Sequence, residues 1–203
     1  MDGHMGRIFY VMGKSASGKD TIYNRLMAEE EIRFQTMVGY TTRPMREQET
    51  EGREYHFIDE RELAELERQG KVVEKRGYDT MYGKWYYCTV DDGSIDFDHE
   101  DYLLIGTLKA YRDLCGYFGQ DRLVPIYIEV EDYVRLTRAM ERERQQSVPK
   151  YTEMCRRFVA DAEDFSEEKI REAGIEKRYV NLDFDKCFNE IKKDIKMVIS
   201  RKS

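Results

Sequence analysis

Apolar residues in this chain come in short solid blocks separated by stretches of helical spacing. "RIFYVMG" (7–13) is a compact apolar run ending in glycine, and it predicts a buried strand. "KDTIYNRLMAEEE" follows, with Ile22, Leu26 and Met27 at helical spacing and charges elsewhere, so strand, loop and helix open the fold. "RFQTMVG" (33–39) predicts a second strand. "YTTRPMREQETEGREYHF" (40–57) mixes Pro, Gly and both charges without apolar periodicity, as a surface loop does. Asp59 then caps a short helix, with Glu62 at the capping-box position, Leu63 and Leu66 on one face and Gly70 as its stop. "KVVEKRGY" and "WYYCTV" predict two strands around a turn at 81–84, so residues 40–90 form a small mixed excursion.

Beyond it the β-then-α rhythm returns. "YLLIG", "RLVPIYIEV" and "KRYVN" each lead into helical text, at Leu108 to Phe118, Glu131 to Gln146 and on to Phe165, and Phe184 to Ser200. Solid apolar strands alternating with helices indicate an α/β fold with a doubly wound parallel sheet, whose ligands sit beyond the carboxyl ends of the strands.

Composition narrows the class. With 203 residues, 40% hydrophobic and 37% charged, the chain can bury one good core plus an excursion. A net charge of −7 argues against coating a nucleic acid, which needs Lys and Arg against phosphates, so any anion site is local. No apolar run reaches the roughly 20 residues of a spanning helix, and the opening "MDGHM" resembles a vector remnant ahead of a start at Met5. The expectation is a cytoplasmic monomer or homodimer without membrane or nucleic-acid partners. Cys88, Cys115, Cys155 and Cys187 are too scattered for a zinc site or a disulfide frame.

Chemistry enters at "GKSASGKDT". Gly13, Gly18 and Lys19 fill the fixed places of G-x-x-x-x-G-K-[ST], directly after the first strand and at a helix start. Such a P-loop aims backbone N–H groups and the positive helix end at one spot, which suits a triphosphate. The loop from Gly13 through Lys14, Ser15, Ala16, Ser17, Gly18 and Lys19 to Asp20 and Thr21 is therefore the candidate ATP cradle. A plain glycine turn is the bland alternative, but Lys19 at a helix start opposes the dipole unless an anion is present. Asp20 stands where a hydroxyl normally meets magnesium, with Thr21 one place on. Either residue is a candidate Mg2+ ligand; an idle first-turn aspartate is the competing reading.

"TTRPMR" sets Arg43 and Arg46 three apart, followed by "GREYHF", "VVE" and "MYGK". With the P-loop upstream, this ordered set resembles the guanylate kinase family of nucleoside monophosphate kinases, from about Arg7 to the last helix. The resemblance implies that Arg43, Arg46, Tyr55 and Tyr82 hold the acceptor phosphate and that Glu74 reads guanine. It also implies ATP and Mg2+ as co-substrate and cofactor, small-molecule nucleotides as partners, and GMP + ATP to GDP + ADP as the reaction. The chemistry agrees: paired guanidinium forks satisfy a dianionic phosphate, and a carboxylate accepts from adjacent N1–H and N2–H donors. Ordinary ion pairs with Glu47 or Glu49 are the alternative for the arginines.

"RLTRAMERERQQSVPKYTEMCRRF" supplies lid arginines around a break at Pro149. The resemblance matches Arg138, Arg142 and Arg157 as catalytic beside Lys19 and Arg43, with Arg144 and Arg156 as alternates. The expected organisation is a P-loop core at 6–39 and 91–203, a helical lid at about 136–158, and an acceptor-binding insertion at 40–90. Four positions depart from the family pattern. Ile105 and Thr107 stand where aspartates would close the third core strand, Gly39 replaces a serine, and Lys84 a small hydroxyl residue. Thr107 is both a candidate substrate-binding residue and a natural helix cap. These departures keep open a P-loop kinase with another phosphate acceptor; a non-catalytic guanylate-kinase-like binding module is a separate rival, against which the retained Gly13, Gly18 and Lys19 argue.

Overall fold

The computed structural model describes residues 5–80 and 83–200. Its centre is a four-stranded parallel sheet in the order β6-β1-β7-β8: Tyr102–Gly106, Ile8–Met12, Leu123–Glu129 and Arg178–Val180. All residues of β1 are buried, which explains its unbroken apolar text: alternate side chains enter two different cores. Ile8, Tyr10 and Met12 pack with Leu108, Tyr111 and Leu114 of α3 (Leu108–Phe118). Phe9 and Val11 pack on the other face with Ile22 and Leu26 of α1 (Lys19–Met27) and with Phe188, Ile191 and Ile195 of α7 (Phe184–Ser200). Helices thus cover both faces, and the α/β doubly wound reading holds.

The excursion is a second four-stranded sheet, ordered β3-β2-β5-β4 and mixed in direction. β4 (Val72–Thr80) and β5 (Gly83–Val90) make its long hairpin, while β2 (Tyr40–Thr41) and β3 (His56–Phe57) are short strands within the stretch expected to be loop. Leu63 of α2 (Glu60–Arg68) packs on Cys88 and Val90. The Asp59 capping box is complete: its carboxylate accepts from Arg61 and Glu62 N–H, and Glu62 accepts from Asp59 N–H at 2.8 Å.

Residues 33–39 do not form the expected strand. Gln35 alone bridges to Tyr102 at the sheet edge. Phe34 packs with Phe9 on one face of the sheet and Met37 joins the cluster on the other. The long helical stretch is broken between α4 (Asp132–Arg144) and α5 (Tyr151–Asp164), around Pro149. A short α6 (Glu167–Glu172), capped by Ser166 and holding one buried residue, Ile170, has too little apolar text to be read in advance.

Replacing Asp59 with Ala is expected to cost about 1 kcal/mol by removing the cap of α2. Urea unfolding checks this: a lower midpoint at unchanged slope agrees, and an unchanged midpoint contradicts it.

Candidate active site

The loop between β1 and α1 is built so that its backbone lies open. Gly18, the N-cap of α1, sits at φ 86° and offers no side chain to the helix's first amides. A Cβ there would lie 2.4 Å from Asn181 Nδ2, and one on Gly13 would lie 2.5 Å from the Ile128 carbonyl, so both positions require glycine. Ala16 takes φ 61°. The Ser17 hydroxyl is fully buried and has no hydrogen-bond partner among the described residues, an orphan inside the cradle. Lys19 Nζ lies 3.3 Å from Asp20 Oδ2.

Two anchors hold this loop. Asn181, buried just after β8, donates from Nδ2 to the Ser17 carbonyl at 2.8 Å. From the opposite flank Arg135, 1% exposed, donates to the Ser15 carbonyl at 2.9 Å and to Asp161 Oδ2 at 3.2 Å. The Ser15 N–H donates to that same Asp161 oxygen at 2.7 Å. Arg135 also forks onto Asp132, holding that carboxyl below its usual range, and Lys14 Nζ stands 3.8 Å from it. Sequence reading missed Arg135, Asp161 and Asn181. The buried stripe of α4 is Arg135, Ala139 and Glu143, spaced i, i+4, i+8, but polar letters at that spacing read as a solvated face.

Arg138 and Arg142 line a cavity of about 520 Å³ together with Gly18, Asp20 and Thr21. Arg138 Nη2 donates to the Asn181 carbonyl at 2.9 Å. Arg157 lies in a neighbouring cavity of about 560 Å³, which Arg142 shares, with Nε 4.0 Å from Glu153. Arg144 and Arg156 are tied to Glu141 and Glu153 one turn away on their own helices. The structure therefore brings Arg138 and Arg142 to the loop and leaves Arg157 one cavity further out.

In the second sheet Arg43 is 4% exposed and forks onto Glu49 at 2.9 and 2.7 Å. That fork pushes the guanidinium pKa up. The Arg43 bond, with the Arg46 backbone N–H, holds Glu49 below the usual carboxylate range. Arg43 lies over the Tyr55 and Phe57 rings at 5.8 and 5.6 Å, while Arg46 is exposed. Glu74 is buried in β4: Arg76 Nε and Nη2 reach its two oxygens at 3.1 and 3.2 Å, and Thr89 Oγ1 donates at 3.0 Å. Gly39 lies against the Tyr55 ring, and Lys84 faces Asp79 across the hairpin. Tyr82 lies outside the described residues.

The register joins the two regions. Met12, where the loop begins, pairs with Gly106, and Thr107 follows, its hydroxyl accepting from Ala110 N–H as the cap of α3. Thr107 and Lys109 share a cavity of about 660 Å³ with Arg76 of the second sheet. The carboxyl ends of the core strands thus open toward the sheet that carries Arg43, Tyr55 and Glu74.

A parallel core with this loop, a mixed insertion and a broken helical pair defines a P-loop kinase of the α/β class. A guanylate kinase family model matches residues 5–90. The guanylate kinase of Porphyromonas gingivalis is 25% identical over 200 residues, covering 97% of this chain and all of that protein. That of Neisseria gonorrhoeae is 36% identical over 88 residues, 43% of this chain and 40% of its own length. A crystal structure of guanylate kinase from Anaplasma phagocytophilum shares the fold, with a TM-score of 0.58 at 20% identity over 96% of this chain and 87% of that one. The chain is thus similar to guanylate kinases, by family model over residues 5–90 and by one relative over nearly its whole length.

Replacing Arg135 with Met is expected to destabilise the protein by about 3 kcal/mol or more, because Asp161 loses its buried counter-charge and the Ser15 carbonyl loses a donor. Adding Asp161→Leu should recover part of that loss. Denaturant unfolding of both variants checks it; a neutral Arg135→Met variant contradicts the role.

Proposed function

We propose that this protein transfers the γ-phosphoryl group of ATP to the phosphate of GMP, forming ADP and GDP. The observation that carries the reading is a pair of unlike cationic features, one following a strand of each sheet. One is an uncapped helix start with Lys19; the other is the buried Arg43 set over Tyr55. Lys19 and the loop amides from Gly13 to Thr21 take the triphosphate. Arg43, Arg46, Tyr55 and Tyr82 take the acceptor phosphate, with Glu74 and Thr107 on the base side. The acceptor phosphate is itself an anionic nucleophile, so the chain needs no general base. Catalysis rests on positioning and on Lys19, Arg138, Arg142 and Arg157 meeting charge that spreads over the moving group.

The donor set also suits magnesium. Asp20 and Thr21 offer oxygen ligands on the exposed first turn of α1. Among the described residues no cluster of three or more His, Cys, Asp or Glu side chains gathers elsewhere for a metal. One carboxylate plus phosphate oxygens and water is an ordinary Mg2+ shell, and the ion would neutralise the triphosphate. Among the described residues no helix is long and apolar enough to cross a membrane; the proposed setting is the cytoplasm, with small nucleotides as partners.

ADP formation with GMP, ATP and Mg2+ tests the activity. Lys19→Met is expected to lower kcat at least a hundredfold, and Arg43→Ala to raise the GMP KM at least tenfold with the ATP KM little changed. A folded protein that forms no ADP with GMP contradicts the reading. For the metal, Asp20→Ser should shift the Mg2+ dependence of the rate to higher concentration; an unchanged requirement removes Asp20 from the shell.

A further inference from the structure

Beside the acceptor arginine lies a cavity of about 500 Å³ walled by Tyr55, Tyr78, Trp85 and Tyr87, with Arg76 as its charged member. Tyr87 meets Tyr55 and Tyr78 edge to face at 5.5 and 5.6 Å, and Arg43 lies over Tyr55. Flat apolar walls next to a phosphate seat suit an aromatic base.

The group that can read such a base is not the carboxylate. Glu74's side chain is 2% exposed, against 37% for Arg76, and both its oxygens are already taken by Arg76 and Thr89. A guanidinium has five N–H donors, and the Glu74 fork uses Nε and one Nη. The end-on pair, one hydrogen from each Nη, is no part of that fork. It matches two neighbouring acceptors, as in arginine bound to the O6 and N7 edge of guanine.

We propose that Arg76, oriented by Glu74, determines acceptor specificity by donating to O6 and N7 of a 6-oxopurine. This rests on the nucleoside monophosphate kinase reading above and adds the base edge that is read. A site that hydrogen-bonds the 2-amino group rejects an analogue lacking it by several orders of magnitude. A site that reads O6 and N7 does not, because hypoxanthine carries both. The acceptor class is therefore 6-oxopurine nucleotides, with IMP taken alongside GMP.

The test measures kcat/KM and, separately, equilibrium binding by calorimetry, for GMP, IMP and the 2-aminopurine nucleoside monophosphate, which keeps the 2-amino group and lacks O6. Expected are IMP within about tenfold of GMP and the 2-aminopurine nucleotide weaker by about a hundredfold or more. Arg76→Lys keeps a cation beside Glu74 but loses the planar fork. It should raise Kd and KM for GMP and IMP together at least tenfold, with the ATP KM within twofold; Arg76→Ala, checked by thermal melting, should do so further. Discrimination of GMP over IMP by more than a hundredfold, or GMP binding unchanged in Arg76→Lys, overturns the proposal while leaving the kinase reading intact. Arg76-dependent binding of both nucleotides without phosphoryl transfer supports the base reading and contradicts the kinase one. Failure of either nucleotide to bind the folded wild-type protein overturns both.

Discussion

Everything in this site depends on keeping a strained, glycine-rich turn rigid while its amides face outward. Such a turn cannot brace itself, since Gly13 and Gly18 have no side chains with which to do so and Ala16 sits in the left-handed region. Bracing comes from outside. Asn181 holds the Ser17 carbonyl from the end of β8, and Arg135 with Asp161 holds both backbone polar groups of Ser15 from α4 and α5. The same bonds tie α4 and α5 to the loop, so the geometry of the loop and the position of these helices are one constraint.

Charge is handled consistently across the molecule. The chain carries a net −7, yet three of the cations that the proposal places near phosphate have a carboxylate or carbonyl beside them: Lys19 has Asp20, Arg43 has Glu49, and Arg138 has the Asn181 carbonyl. On the proposed reading these pairs orient the cations before nucleotide binds. Exposed pairs such as Lys19 with Asp20 are weak enough to exchange readily, whereas the buried Arg43 fork preserves a geometry.

The core was legible because buried strands and amphipathic helices write apolar residues at fixed periods. β1, α2, α3 and α7 lie within about a residue of where the spacing places them, while α1 starts at Lys19 as expected but ends at Met27, before the acidic run that sequence reading takes as helical. The P-loop was legible because glycine and lysine at fixed offsets have few other uses after a strand. The segment at 33–39 misled because its apolar letters suit a strand, while among the described residues only Gln35 bridges to the sheet edge. Arg135, Asp161, Asn181 and Arg76 were hidden for a different reason. Arg135, Asp161 and Asn181 take their roles from loop partners 120 to 164 positions away, and Arg76 reads as an ordinary strand-surface charge until Glu74 is seen beneath it.

The central claim is that two separate phosphate seats face one another across the opening between the core and the second sheet. A crystal structure with a bisubstrate analogue, guanosine and adenosine joined through five phosphates, tests it most directly. The account predicts one molecule spanning both seats, its phosphates reaching from the Lys19 loop to Arg43 with the guanine between the tyrosines. Phosphates bound away from either seat, or two molecules bound independently with no shared path, would contradict it.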